Sequence, residues 1–244
     1  MQVDEFAPRL AFYYVCQSDF FEEIAKFRAV RRVYAKIMRE RCGARNPESM
    51  RLRFHCQPAA APPTKTQPKI NIVRTGLQAL AAVLGGAQSL HTNGMDEAFA
   101  IPTEEAMKIA LRTQQIIADE TGVASVADPL GGSYFVETLT TQFEQQIFGV
   151  LDEVERRGGT VKLIEEGWFQ QRIADFAFDT VKRKASGDKP VIGVNRHVEP
   201  DERFDVEIHP YDPTTAERQI ARLQRVRRER DNTQVTALLD RLAA

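Results

Sequence analysis

The sequence predicts an α/β fold of parallel strand–helix–strand units, and three observations lead to it. Strand-like runs alternate with amphipathic helical patterns three times within residues 10–122, the order from which parallel sheets are built. The stretch 71–122 holds a complete helix–strand–helix step with its own stop and start signals. Two of the three strand runs alternate apolar with polar residues, so each has one face for packing and one left over.

Taken in order, residues 10–15 (LAFYYV) form a continuous apolar run of strand length and read as a buried strand. Asp19 with Glu22 three positions on resembles a capping box. Ile24, Phe27, Val30, Tyr34 and Ile37 or Met38 then give an amphipathic helix that ends at Gly43. Asn46-Pro47 marks a turn. In residues 50–57 (MRLRFHCQ), Leu52, Phe54 and Cys56 share one face, and Arg53, His55 and Gln57 the other. The proline-rich PAAAPPTKTQPK that follows is either an active-site loop or a dispensable one.

Asn71 can cap the next helix, whose Leu77, Leu80, Ala81 and Leu84 recur at helical spacing before Gly85-Gly86 stop it. Residues 88–93 alternate again, Leu90 and Thr92 against Ser89, His91 and Asn93. Pro102 and Thr103 open a helix carrying Ala106, Ile109, Ala110, Thr113 and Ile116 or Ile117 as its stripe. Beyond the turns at 127–132, helices are expected over 138–157 and 161–184, the second with Leu163, Ile164, Trp168, Ile173, Phe176 and Val181 in the core. Residues 190–194 and 204–208 read as short strands, and the tail from Thr214 as a solvated, Arg-rich helix.

The polar strand faces admit two readings. In a closed barrel Arg53, His55, Gln57, Ser89, His91 and Asn93 would point inward and form a channel for a polar ligand. In an open sheet they would simply face water.

Composition narrows the function classes. Lys and Arg total 33 against 34 Asp and Glu, a net charge of -1, which leaves no electrostatic footprint for nucleic acid or an anionic membrane. No apolar run approaches a membrane span and the N-terminus has no export signal, so the cytoplasm is the expected compartment. Cys16, Cys42 and Cys56 are odd in number and lack a C-x-x-C, which argues for neither a disulfide framework nor a zinc site.

The segments RLAFYY, RFHCQ, INIVRTGLQALAAVLGGAQSLHTNGMDEA, IALRTQQIIADETG and DPLGGSYFVE resemble the large, catalytic subunit of methylmalonyl-CoA mutase and its adenosylcobalamin-dependent acyl-CoA mutase relatives, in family order and over nearly the whole chain. The resemblance implies the last three βα units of a (β/α)8 TIM-type barrel at residues 1–126, followed by a mainly helical extension at 127–244. It implies carbon-skeleton isomerisation of an acyl-CoA substrate. The pantetheine arm would thread the barrel, and cobalamin would cap its C-terminal end.

Carried over by position, Arg9 falls on the arginine that contacts CoA. Ala11 stands where the family has a ligand-contacting serine. His55 and His91 line the substrate channel. Gln57 lies at the barrel mouth near cobalamin and the adenosyl group, Ala60 replaces a glycine that lets backbone approach cobalamin, and Glu97 with Ala98 lies near the adenosyl moiety. From the residues alone Glu97 reads as a turn cap. No catalytic acid, base or nucleophile and no metal ligand is assigned. The D-x-H-x-x-G motif of the family's vitamin-binding domain does not occur. The chain is therefore expected to be inactive alone and to form an oligomer or pair with a complementary mutase chain or cobalamin-binding subunit. The competing expectation is a non-catalytic remnant or accessory subunit.

Overall fold

Three parallel strands stand side by side in chain order: β1 (Phe12–Cys16), β2 (Phe54–Pro58) and β3 (Ser89–Leu90). The register pairs Phe12 with Phe54, Tyr13 with His55 and His55 with Ser89. The computed structural model describes residues 2–199 and 206–243. They form two compact units, Met1–Ile208 and His209–Ala244.

A short helix α1 (Val3–Phe6) precedes β1. Helices α2 (Phe20–Glu40), α3 (Asn71–Leu84) and α4 (Glu104–Asp119) follow the three strands in turn. Asp19 caps α2 by accepting the Glu22 amide at 3.2 Å, and Thr103 caps α4 through the Ala106 amide at the same distance. Phe54 and Cys56 of β2, with Tyr14 and Cys16 of β1, turn toward Phe27 and Ile24 of α2 and Ala81 and Ala82 of α3. At the centre Phe27 stacks on Phe54 with ring centroids 5.2 Å apart, and Tyr14 meets Phe54 edge-on at 5.3 Å.

Helix α5 (Tyr134–Arg156) runs along α2, and charge sets their alignment. Buried Arg28 bonds Asp128 and Glu137, Arg32 and Lys36 share Glu144, and Arg41 reaches Asp152 and Glu155. Because the partners advance together along both helices, the pair is parallel. Helices α6 (Thr160–Glu165) and α7 (Trp168–Ser186) complete the first unit. The second unit holds α8 (Thr215–Glu229) and α9 (Asn232–Ala243). No helix of the described residues is long and apolar enough to cross a membrane.

Several expectations change. β1 is not buried on both sides: Tyr13 is 57% and Val15 41% exposed, because no helix covers that face. β3 is two residues long; past it the Thr92 hydroxyl donates to the Ala110 carbonyl of α4 and the Asn93 side-chain amide to the Pro58 carbonyl at the end of β2. Asn71 does not cap α3; it is the first helical residue, fully buried, and its side chain joins two loops. Helix α5 begins at Tyr134, four residues early, because Ser133 caps it through the Val136 amide.

Of the core expected over 161–184, Leu163 is buried, whereas Ile164, Ile173, Phe176 and Val181 are at least half exposed. The apolar stripe of α7 is left uncovered because this helix packs chiefly on α6. Residues 190–194 form a tight turn with one bridge, Ile192 to Arg196, rather than a strand. Of the strand expected at 204–208, residues 204 and 205 lie outside the described residues and 206–208 are not extended into a sheet.

Two outcomes follow from this packing. Phe54→Ala removes the central ring and should lower unfolding free energy by about 3–5 kcal/mol in urea titrations, while Tyr13→Ala on the uncovered face should cost about 1 kcal/mol or less. Cys42 is exposed while Cys16 and Cys56 are fully buried. Ellman titration of the native protein should therefore find one fast thiol, and all three after urea.

Candidate functional site

The helix-free face of the sheet carries a row of polar groups. Tyr13, His55 and Ser89 occupy one rung across all three strands. The rings of Tyr13 and His55 lie 5.5 Å apart, and His55 Nδ1 is 2.8 Å from Ser89 Oγ. Tyr13 also donates its hydroxyl to Gln57 Oε1, one rung further on. This face can hydrogen-bond a ligand, and no cluster of metal-ligating side chains occurs among the described residues.

The remaining candidates fall at the two ends of the strands. Arg9 and Ala11 are exposed and flank the start of β1, where the Phe12 amide bonds the Arg53 carbonyl at 2.8 Å. Gln57 lies four residues along, about 13 Å at the usual strand rise. Beyond it Ala60 is exposed at the C-terminal edge, and Glu97 and Ala98 are half-buried in the turn after β3. In that turn the Glu97 amide bonds Gly94 and the Phe99 amide bonds Asp96. Asp96 is itself buried and accepts the Thr103 amide at 2.8 Å. Gly94 is required there, because a Cβ would stand 2.5 Å from Asp96 Oδ1.

His91 follows β3, its amide bonded to the Cys56 carbonyl at 2.9 Å. It lines a cavity of about 400 Å³ with Glu104, Met107, Lys108, Leu111 and Gln114 of α4. Asn93, expected on the polar face, is instead 2% exposed and donates to the carbonyls of Pro58 and Ala59.

Asn71 supplies the second tie between the edge loops. It exchanges hydrogen bonds with the Thr64 backbone at 3.0 and 2.9 Å and donates to the Met95 carbonyl at 3.0 Å. Sequence reasoning missed Tyr13, whose position in an all-apolar run hid its alternation. It also misassigned both asparagines, whose burial leaves no periodic signal.

Behind the polar face, Cys16 donates to the Gln78 carbonyl at 3.2 Å. The neighbouring Cys56 thiol, with burial second, pushes the Cys16 pKa up, and the neighbouring Cys16 thiol brings that of Cys56 down. Burial also raises the Tyr14 hydroxyl. These groups are structural.

Comparison with known proteins bears on what this surface is for. The profile of the family described as Methylmalonyl-CoA mutase matches residues 1–244. The chain is 73% identical over 244 residues to the 2-hydroxyisobutanoyl-CoA mutase large subunit of Aquincola tertiaricarbonis, covering 100% of this chain and 43% of that protein. It is 40% identical over 245 residues to the mitochondrial methylmalonyl-CoA mutase of Bos taurus, covering 100% of this chain and 32% of the other. Against the methylmalonyl-CoA mutase of Cereibacter sphaeroides it is 40% identical over 249 residues, covering 99% and 34%. The chain thus spans less than half the length of these relatives.

The asymmetry between the two amides at the C-terminal edge is testable. Asn93→Ala leaves two buried carbonyls without their donor and should cost about 1–3 kcal/mol. Gln57→Ala, on the uncovered face, should stay within about 1 kcal/mol of wild type in the same urea titration.

Proposed function

The chain belongs to the methylmalonyl-CoA mutase family, and from that premise we propose that it forms one wall of an acyl-CoA mutase. Residues 1–126 would be the last three βα units of a (β/α)8 barrel and residues 127–244 its helical extension. The observation that carries this reading is the polar rung Tyr13, His55 and Ser89 on the helix-free face of a parallel sheet. A dry barrel interior would be filled there by branched apolar side chains. Hydrogen-bonding walls instead suit an extended chain of amides such as a pantetheine arm.

The two ends of the strands then divide the ligand. Arg9 at the N-terminal edge suits the phosphates of CoA, and Ala11 beside it can offer only backbone groups. At the C-terminal edge Gln57, Ala60, Glu97 and Ala98 would meet adenosylcobalamin. These residues fit the group: the Gln57 amide and Glu97 carboxylate stand at one edge with the exposed Ala60 and match the donors and acceptors of a nucleoside. When bound, adenosylcobalamin supplies the radical chemistry of the rearrangement. The residues of this chain bind and orient the thioester, and the sheet helps exclude water from it.

The vitamin would be held mainly by a domain on a complementary mutase chain or cobalamin-binding subunit, in a cytoplasmic oligomer. Greater identity to the 2-hydroxyisobutanoyl-CoA mutase large subunit than to the methylmalonyl-CoA mutases supports a branched 2-hydroxyacyl thioester as substrate.

The test is reconstitution. The purified chain alone should show no adenosylcobalamin-dependent isomerisation of 2-hydroxyisobutanoyl-CoA or methylmalonyl-CoA. With a complementary chain carrying the other barrel units and a cobalamin-binding subunit, turnover should appear, and Gln57→Ala should weaken adenosylcobalamin binding about tenfold, or about 1.4 kcal/mol. Assembly without turnover would replace this reading with that of a non-catalytic accessory subunit.

A further inference from the structure

The loop that carries Ala60 is held from outside the barrel units by the turn at 191–197. Among non-glycine residues described, positive φ occurs only at Gln67, Asp128 and His197. Two of these three are joined: Gln67 Nε2 donates to the His197 carbonyl at 3.0 Å. Left-handed backbone at such residues is costly and persists where the surroundings enforce it. Gly193 comes so close that a Cβ would lie 3.1 Å from the Gln67 side chain, in a backbone at φ +77 that already favours glycine.

Arg74 makes the second link. Its Nη2 donates to the Ile192 carbonyl at 2.7 Å, and its Nη1 to Thr64 Oγ1 at 3.0 Å and Asn71 Oδ1 at 2.8 Å. One guanidinium thus spans the turn, the loop after β2 and the asparagine that ties this loop to the one after β3. Asn195 organises the turn from within, accepting the Val191 amide at 2.6 Å and donating to the carbonyls of Lys189 and of Lys184 in α7.

We propose that the 191–197 turn is a clamp on the loop after β2, with Gln67 and Arg74 as positioning residues through which displacement of the turn is felt at the C-terminal edge of the sheet. The connection runs from the end of α7 through Asn195 to Gln67 and Arg74, then to Thr64 and Asn71. It is a route by which whatever binds α7 or the chain beyond it would adjust the edge that carries Gln57 and Ala60. Coupling of this kind is reciprocal, so disturbing either end must loosen the other.

Amide hydrogen exchange on the full chain tests it without reference to any ligand or activity. Asn195→Ala, which removes side-chain hydrogen bonds only to Val191, Lys184 and Lys189, should speed exchange of the Thr64 and Ile70 amides about tenfold while amides of α2 and α5 keep their protection. Gln67→Glu, which keeps size but removes the donor, should speed exchange at Val191 and Gly193 to a similar degree. Effects confined to the mutated segment in both variants would overturn the proposal. If Asn195→Ala unfolds the chain, seen as lost protection in α2 and α5, the milder Gly193→Ala decides: faster exchange at Thr64 supports the clamp, and unchanged exchange there refutes it.

Discussion

The stacking of Phe27 on Phe54 fixes which face of β2 looks where, and the rest of the arrangement follows from it. A strand has a side-chain period of two, so a slip of one residue would send Phe54 to the open face and His55 into the helices. Phe54 is 2% exposed, sandwiched between Phe27 and Tyr14, and flanked along the strand by fully buried Cys56. Burying a ring of that size contributes roughly 1.5–3 kcal/mol, whereas burying an imidazole in its place would strand a polar group. The register that satisfies Phe54 necessarily presents His55 and Gln57 on the other side. The polar rung is thus a consequence of the aromatic core behind it.

The same logic explains how irregular loops at the strand ends keep their shape. Backbone carbonyls buried without a partner are costly, and those at the end of β2 and in the loops after β2 and β3 take side-chain donors. Asn93 and Asn71 answer this with side-chain amides that donate to Pro58, Ala59, Thr64 and Met95. Because Asn93 reaches from the segment after β3 to Pro58 and Ala59, and Asn71 joins Thr64 to Met95, the two loops at the C-terminal edge are tied together. The parallel ion ladder between α2 and α5 does comparable work on the other side of the sheet, where alignment along the helices is set by four basic residues meeting acidic ones in step.

How much of this the sequence discloses depends on whether periodicity carries the information. The alternation of Phe54, His55, Cys56 and Gln57 is visible because apolar and polar residues alternate with it, and the caps at Asp19 and Thr103 are visible because capping is local. Tyr13 and Val15 are hidden in a run where both faces are apolar. The stripe of α7 has the spacing of a core helix, yet spacing does not say whether the surface that would cover it belongs to the same chain. Asn71 stands where a cap would, and only the path of the loops shows that its amide is spent on Thr64 and Met95. Residues acting through long-range loop contacts, such as Gln67 and Arg74, leave no local pattern at all.

In the proposed assembly the two free edges of the sheet are unequal, and this bears on how a complementary chain would meet it. β1 offers five residues of strand at its edge, where the Val15 carbonyl already accepts the Lys26 Nζ at 2.8 Å and the backbone of Tyr13 faces outward. β3 offers two residues, a short edge of the kind that discourages indiscriminate pairing. Past β3 the chain presents instead the cavity beside His91, walled by Met107 and Leu111 of α4. Register would therefore be set at β1 by main-chain bonding, and the β3 side closed by side-chain packing against α4.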